Sequence, residues 1–220
     1  VAVNSNGQFT VRVDHGGADV VVDVQGWFEA ATRTWTYSYD GDGLRASKTA
    51  PDDTTSDFTW DRSGGVPLLL SQNSGGVRTD VIYGPGGHPY AEITGATVHY
   101  HHRDRLGSTT TLTDAAGSVV HAASYTVNGE IATSTGAVAP LLGWAGEQRD
   151  PETGLVYLRA RFYDPTTSQF LTRDPAVELT GEPYAYASNN PVTYIDPLGL
   201  FSLRDAWNAT GGKVVSGAAN

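Results

Sequence analysis

The amino-acid sequence predicts an all-β chain of stacked antiparallel hairpins, and three observations carry that prediction. Short runs rich in β-branched and aromatic residues alternate apolar with polar positions at period two. Dense turn clusters separate the runs, and 26 Gly and 11 Pro stand among the 220 residues. An aromatic side chain followed by a polar or turn residue recurs about every twenty residues, at Tyr39-Asp40, Trp60-Asp61, Tyr83-Gly84, His102-Arg103 and Tyr125-Thr126.

Taken in order, Phe9, Val11 and Val13 alternate with Thr10 and Arg12 as a half-buried strand does. Residues 19–24, Asp-Val-Val-Val-Asp-Val, hold four β-branched valines and are too few for a helix, which predicts a buried strand after His15-Gly16-Gly17. Further strands are expected at 34–39, 57–60, 79–83, 97–102, 118–126 and 154–162. Turns fall at 40–43, 63–65, 73–76, 84–87, 114–117 and at Asn128-Gly129. The one helical window is the short amphipathic stretch 203–208, ended by Gly211-Gly212. A repeat of about twenty residues accommodates one hairpin. A hairpin cannot bury an apolar face alone, so successive units are expected to pair edge to edge.

Composition narrows the function classes. Lys and Arg number 14 against 24 Asp and Glu, a net charge of −10, which argues against a nucleic-acid partner or an anionic membrane surface. The absence of Cys removes disulfides, thiolate catalysis and Cys-based zinc sites. The absence of Met, an initiator included, predicts a piece of a longer polypeptide. No apolar run reaches the ~18–20 residues of a membrane-spanning helix. Phosphate-loop, nucleophile-elbow and His-Glu-x-x-His patterns are missing, and no cofactor is expected.

Several stretches carry a family signature. Tyr37-Ser-Tyr-Asp-Gly-Asp-Gly-Leu-Arg45 resembles the YD repeat, and His101-His-Arg-Asp-Arg-Leu-Gly-Ser-Thr109 resembles the most characteristic unit of the Rhs/YD-repeat family. From Gly154-Leu-Val-Tyr-Leu-Arg-Ala-Arg-Phe-Tyr-Asp-Pro165 through Phe170-Leu-Thr-Arg-Asp-Pro175 to Asn189-Asn-Pro191, the chain is similar to the Rhs-associated core. It closes on Pro191-Val-Thr-Tyr-Ile-Asp-Pro-Leu-Gly-Leu200, the family's terminal pattern. The resemblance covers about residues 37–200. Residues 1–36 read as a β-rich upstream segment outside the resemblance, which implies YD hairpins at 37–145, the core at 146–200, and the start of a variable C-terminal cargo at 201–220. It further implies a spiral shell, secreted or on a bacterial surface, whose partners are its own C-terminal toxin and the remaining upstream repeats. The shell would free that toxin by cutting itself between Leu200 and Phe201. A non-cleaving surface protein for adhesion or carbohydrate contact is the alternative.

Two carboxylates close enough to share a proton supply both the base and the acid that peptide hydrolysis needs. Asp196 opens Asp-Pro-Leu-Gly, a type I turn sequence that folds the chain back toward its own side chain. Asp also caps such turns with no chemical role. By matching position the resemblance assigns the catalytic roles to Asp174 and Asp196, with Arg173 as charge partner. Any enzymatic activity is therefore a single-turnover aspartyl cut in cis. Asp164, before another proline, is expected to serve its turn. In one strand Arg159 and Arg161 share a face with Leu155, Tyr157 and Tyr163, where they could neutralise carboxylates, while Val156, Leu158, Ala160 and Phe162 face the core. Tyr157, Phe162, Phe170, Tyr184 and Tyr186 are expected to form that core. Two departures from the family stand out: Ser168-Gln169 replaces the usual Gly-Arg, losing a left-handed turn position, and Ala176-Val177 replaces Ile-Gly. His99 and His101 share a strand face beside His102, but the pattern offers no matching carboxylate except Asp104, and no metal site is expected.

Overall fold

A computed structural model of the chain describes residues 2–3, 9–10, 34–175 and 177–200. Strands β1 (Ala2–Val3) and β2 (Phe9–Thr10) pair antiparallel. The strand expected at 19–24, most of that at 9–13 and the helix at 203–208 lie outside the described residues.

Ten strands follow: β3 (Thr36–Tyr39), β4 (Arg45–Thr49), β5 (Thr55–Asp61), β6 (Leu68–Ser74), β7 (Val77–Tyr83), β8 (Pro89–Thr94), β9 (Thr97–Arg103), β10 (Thr109–Thr113), β11 (Val119–Tyr125) and β12 (Ile131–Gly136). They form one antiparallel sheet in which each strand pairs only with its neighbours in the chain. Local turn chemistry builds it. In 40–44, 104–108 and 114–118 an Asp opens the loop, and its Oδ1 accepts the amides two and four residues on at 2.8–3.0 Å. The fourth residue is a glycine in the left-handed region, with φ +77° at Gly43 and +91° at Gly107.

The recurring aromatics join adjacent strands. Trp60 Nε1 donates to Arg45 O at 2.8 Å, Tyr83 Oη to Leu69 O at 2.9 Å, and Tyr125 Oη to Thr109 O at 2.9 Å. Each half-buried ring thus lies over the neighbouring strand, and each acceptor residue is buried. His102 departs from the pattern: it is exposed, and its Nε2 pairs with Thr113 Oγ1 at 2.9 Å.

A second sheet holds β13 (Gln148–Arg149), β14 (Val156–Leu158), β15 (Arg161–Asp164) and β16 (Gln169–Phe170), in that order. One short helix, α1 (Val177–Thr180), follows, and no helix of the described residues is long and apolar enough to cross a membrane. Trp144, Val156, Leu158, Tyr163, Phe170 and Tyr186 form the core of this part, with Trp144 stacked on Tyr163 at 5.4 Å. Leu142 packs with Phe58, Leu69 and Val81 of the large sheet. Arg45 joins the two sheets. It is fully buried between Phe58 and Tyr157, and its guanidinium donates to Asp150 at 2.7 Å and Gln148 at 2.6 Å.

The single strand expected over 154–162 is instead a hairpin: Leu158 pairs with Arg161, and the chain turns at Arg159-Ala160. That turn overrides the face assignment. All three residues of β14 are buried, Tyr157 and Tyr163 belong to the interior, and Phe162 is only half-buried against Tyr37 and Tyr157. Tyr184 is half-buried as well. Arg159 carries the turn at φ +59°, a conformation that costs a non-glycine residue on the order of 1–3 kcal/mol and that no turn residue in the sequence announced. Ser168 likewise keeps the left-handed position, at φ +61°, that the missing glycine was expected to lose.

Candidate functional site

The site forms where the last described turn docks on the β14–β15 hairpin. Asp196-Pro197-Leu198-Gly199 closes with Gly199 N donating to Asp196 O at 3.2 Å, and Leu200 N donates to Asp196 Oδ1 at 3.1 Å. Three consecutive residues of the hairpin turn hold three consecutive carbonyls of this segment. Arg159 Nη1 donates to Pro197 O at 2.7 Å, Ala160 N to Leu198 O at 3.2 Å, and Arg161 Nε to Gly199 O. Gly199 sits at φ +64°, and a Cβ there would fall 2.5 Å from Leu158 O. The close approach of the two backbones therefore requires glycine.

Asp174 arrives from the other side, after β16. Its amide donates to Pro183 O at 2.7 Å, and its carbonyl accepts from Val177 N at 3.2 Å. The Asp174 and Asp196 residues are 3 % and 1 % exposed. Between them stands Arg161, with Nη2 3.1 Å from Asp174 Oδ2 and 3.7 Å from Asp196 Oδ2. Its guanidinium lies 3.6 Å from the Phe170 ring centroid. Burial lowers the affinity of Arg161 for its proton, and the two carboxylates pull the other way. The structure thus brings Asp174 and Asp196 to one buried cation, and that cation is Arg161. Arg173, expected as charge partner, instead has a side chain 60 % exposed, 3.8 Å from the exposed Glu178. Both residues lie in irregular backbone beyond β16, where adjacency in sequence does not bring two side chains to one partner.

A fourth charged residue, Glu147, had no sequence signal. It is buried and pairs with Arg159. Burial pushes its carboxyl up to about 7, Arg159 offsets part of this, and the charge of Asp196 adds to it. Two buried carboxylates on a shared cation, with a third carboxylate beside them, are equipped to hold a proton and pass it on. Leu200 is half-buried at the end of this arrangement, and Phe201 lies outside the described residues.

The remaining candidates separate from this cluster. Burial favours the neutral form of Asp164, but hydrogen bonds from Thr166 and Thr167 outweigh it and hold its carboxyl below the usual range; the side chain caps its own turn. The carboxylate facing the histidines is Glu92, from the neighbouring strand: its oxygens lie 3.9 Å from His99 Nδ1 and 3.5 Å from His101 Nε2. His101 Nδ1 is 2.9 Å from Thr109 Oγ1, whose hydroxyl donates to Leu142 O at 2.7 Å. No group of three or more His, Asp or Glu among the described residues is arranged to hold a metal ion.

The sequence profile of the teneurin YD-shell family matches residues 36–194. The tRNA nuclease WapA of Bacillus subtilis is 32% identical over 173 residues, covering 74% of this chain and 7% of that protein. Double-stranded DNA deaminase toxin A of Burkholderia cenocepacia is 31% identical over 230 residues, 87% of this chain and 15% of the relative. The chain thus spans a small fraction of these relatives. Among solved structures, TcdB2-TccC3 superimposes with a TM-score of 0.62 at 22% identity, over 80% of this chain and 10% of that one. A Photorhabdus luminescens Tc holotoxin pore gives 0.63 at 22%, over 81% and 9%. The structural likenesses show a shared fold.

Proposed function

The chain belongs to the teneurin YD-shell family, and from that premise we propose that it is the closing segment of a toxin-enclosing shell that cuts its own chain after Leu200. Residues 201–220 are in this reading the first of the released product, and the shell works outside the producing cell or on its surface. The toxin names carried by the relatives support an effector as the cargo. One observation carries the proposal: two buried aspartates share Arg161, and one of them, Asp196, hydrogen-bonds the amide of the residue whose carbonyl would be attacked.

The step balances as an acid–base hydrolysis. Asp174, which makes the shorter contact to Arg161, is the carboxylate that takes a proton from water, and the hydroxyl oxygen bonds to the Leu200 carbonyl carbon. Protonated Asp196 gives its proton to the Leu200 carbonyl oxygen, forming a neutral tetrahedral diol. The C–N bond to residue 201 then breaks as the nitrogen takes up the proton held by Asp174, and a diol proton returns to Asp196. The products are a Leu200 carboxyl and a Phe201 amine. Attacker and target lie in one chain, so effective molarity replaces diffusion and the rate is independent of concentration.

Mass spectrometry of the complete natural polypeptide tests this. It should yield a fragment ending at Leu200 and one starting at Phe201, once per chain. Asp174→Asn and Asp196→Asn should each abolish the cut while far-UV circular dichroism stays unchanged. A cut elsewhere, or parental cutting in Asp174→Asn, overturns the mechanism, and a folded polypeptide that never cuts favours a non-cleaving surface protein.

A further inference from the structure

Arg159 is the point at which three separate parts of the chain meet. Its Nε and Nη2 donate to Pro67 O, in the approach to β6, at 3.0 and 2.8 Å. Its Nη1 donates both to Pro197 O, in the terminal turn, and to Glu147. The residue stands at φ +59°, so the surrounding contacts impose its conformation on a backbone that disfavours it. Glu147 supplies the carboxylate on this guanidinium: without it the fork is held by neutral carbonyls alone, at Pro67 and Pro197, and its charge is left without that partner.

We propose that Glu147 is a positioning residue for the cut after Leu200, acting through Arg159 on the terminal turn. The inference deepens the self-cleavage reading and rests on it. The geometry of the terminal turn supports it. The Arg159 bond to Pro197 O sits one residue after Asp196, so any rotation of the fork displaces the carboxylate and the Leu200 amide it holds. The titratable groups facing Glu147 are Arg159, Asp196, Tyr83 and Tyr186; burial raises both tyrosine hydroxyls, which stay neutral through the relevant range.

The experiment follows first-order cleavage after refolding the complete polypeptide from urea into buffers from pH 4 to 9. Glu147→Gln should slow cleavage at least tenfold at neutral pH. It should also remove the acid limb expected of the parent near pH 7, where Glu147 takes up a proton and Arg159 loses its carboxylate partner. Glu147→Asp, which keeps the charge and shortens the reach, should slow cleavage with the limb in place. Arg159→Lys should do the same, since the cation stays and the fork to two carbonyls is lost. A purely structural role predicts a uniform fall at every pH, and that result in Glu147→Gln overturns the proposal. So does parental cleavage by Glu147→Asp, the decisive arm if the Gln variant fails to fold. If Asp174→Asn cuts like the parent, the self-cleavage reading falls and takes this inference with it. If that variant is silent while Glu147→Gln keeps the parental profile, only the role of Glu147 falls.

Discussion

Replacing Arg161 by Met removes the one guanidinium shared by Asp174 and Asp196 and retains an apolar stem over Phe170. Met is close to Arg in stem length, so little cavity opens, and the loss is mainly electrostatic. Breaking a buried pair by deleting one partner costs about 3–5 kcal/mol, because a charge is left without compensation. Here two carboxylates, 3 % and 1 % exposed, lose the same cation, which places the expected cost near the top of that range. The lost bonds to Gly199 O and Pro183 O belong to the same network and are not added separately. Against the ~5–15 kcal/mol that holds an ordinary domain together, the effect is large. Its pH dependence has a definite sign. Uncompensated carboxyls bind protons more tightly folded than unfolded, so R161M should recover stability on acidification and lose it as pH rises above the ordinary carboxylate range. Urea unfolding followed by Trp fluorescence at pH 4.5 and 7.5 measures both quantities, and adding Asp174→Asn should return part of the loss at pH 7.5. A deficit below about 1 kcal/mol at pH 7.5, or the same deficit at both pH values, would refute the shared-cation arrangement.

Other perturbations probe the backbone and the core. Gly199→Ala places a Cβ 2.5 Å from Leu158 O at φ +64°, so it should dislodge the terminal turn and stop cleavage, while the melting of the remaining fold shifts little. Tyr163→Ala should destabilise by about 3–5 kcal/mol in urea titration, since the ring packs on Trp144, Phe170 and Tyr186. Phe162→Ala should cost clearly less, about 2 kcal/mol, because Phe162 is only half-buried against Tyr37 and Tyr157; equal losses in the two variants would restore the original face assignment.

Much of the sheet was legible because its determinants are local. The Asp-initiated loops expected after Asp40 and Asp114 are specified within five residues, by side-chain bonds to amides two and four positions on and by one glycine at a left-handed position. Alternation at period two located β5, β7, β9 and β11 to within a few residues. The twenty-residue spacing of aromatics marked the hairpin repeat; the hydrogen bonds that Trp60, Tyr83 and Tyr125 make to the adjacent strand emerged only in the structure. His102 satisfied the same spacing without the contact, because its ring lies on the exposed face. The Asp196 turn was readable for the same reason as the loops: Asp, Pro and Gly stand at the positions that a type I turn prefers.

By itself, then, the sequence announced the all-β class, alternate strands of the hairpins and many of their turns, while the family resemblance pointed to the two aspartates of the candidate site. Only the tertiary structure decided what lies between those aspartates. Arg161 is separated from Asp174 by 13 residues and shares it with Asp196, whereas Arg173, adjacent in sequence, turns to solvent. The reversal at Arg159-Ala160 has no glycine to mark it; it is imposed by carbonyls at Pro67 and Pro197 and by the carboxylate of Glu147, all remote in sequence. A turn stabilised by its own residues is written in those residues. A buried charge is placed by whichever partners the packed sheets bring to it, because in a low-dielectric interior it must find an opposite charge or a carbonyl wherever in the chain one lies.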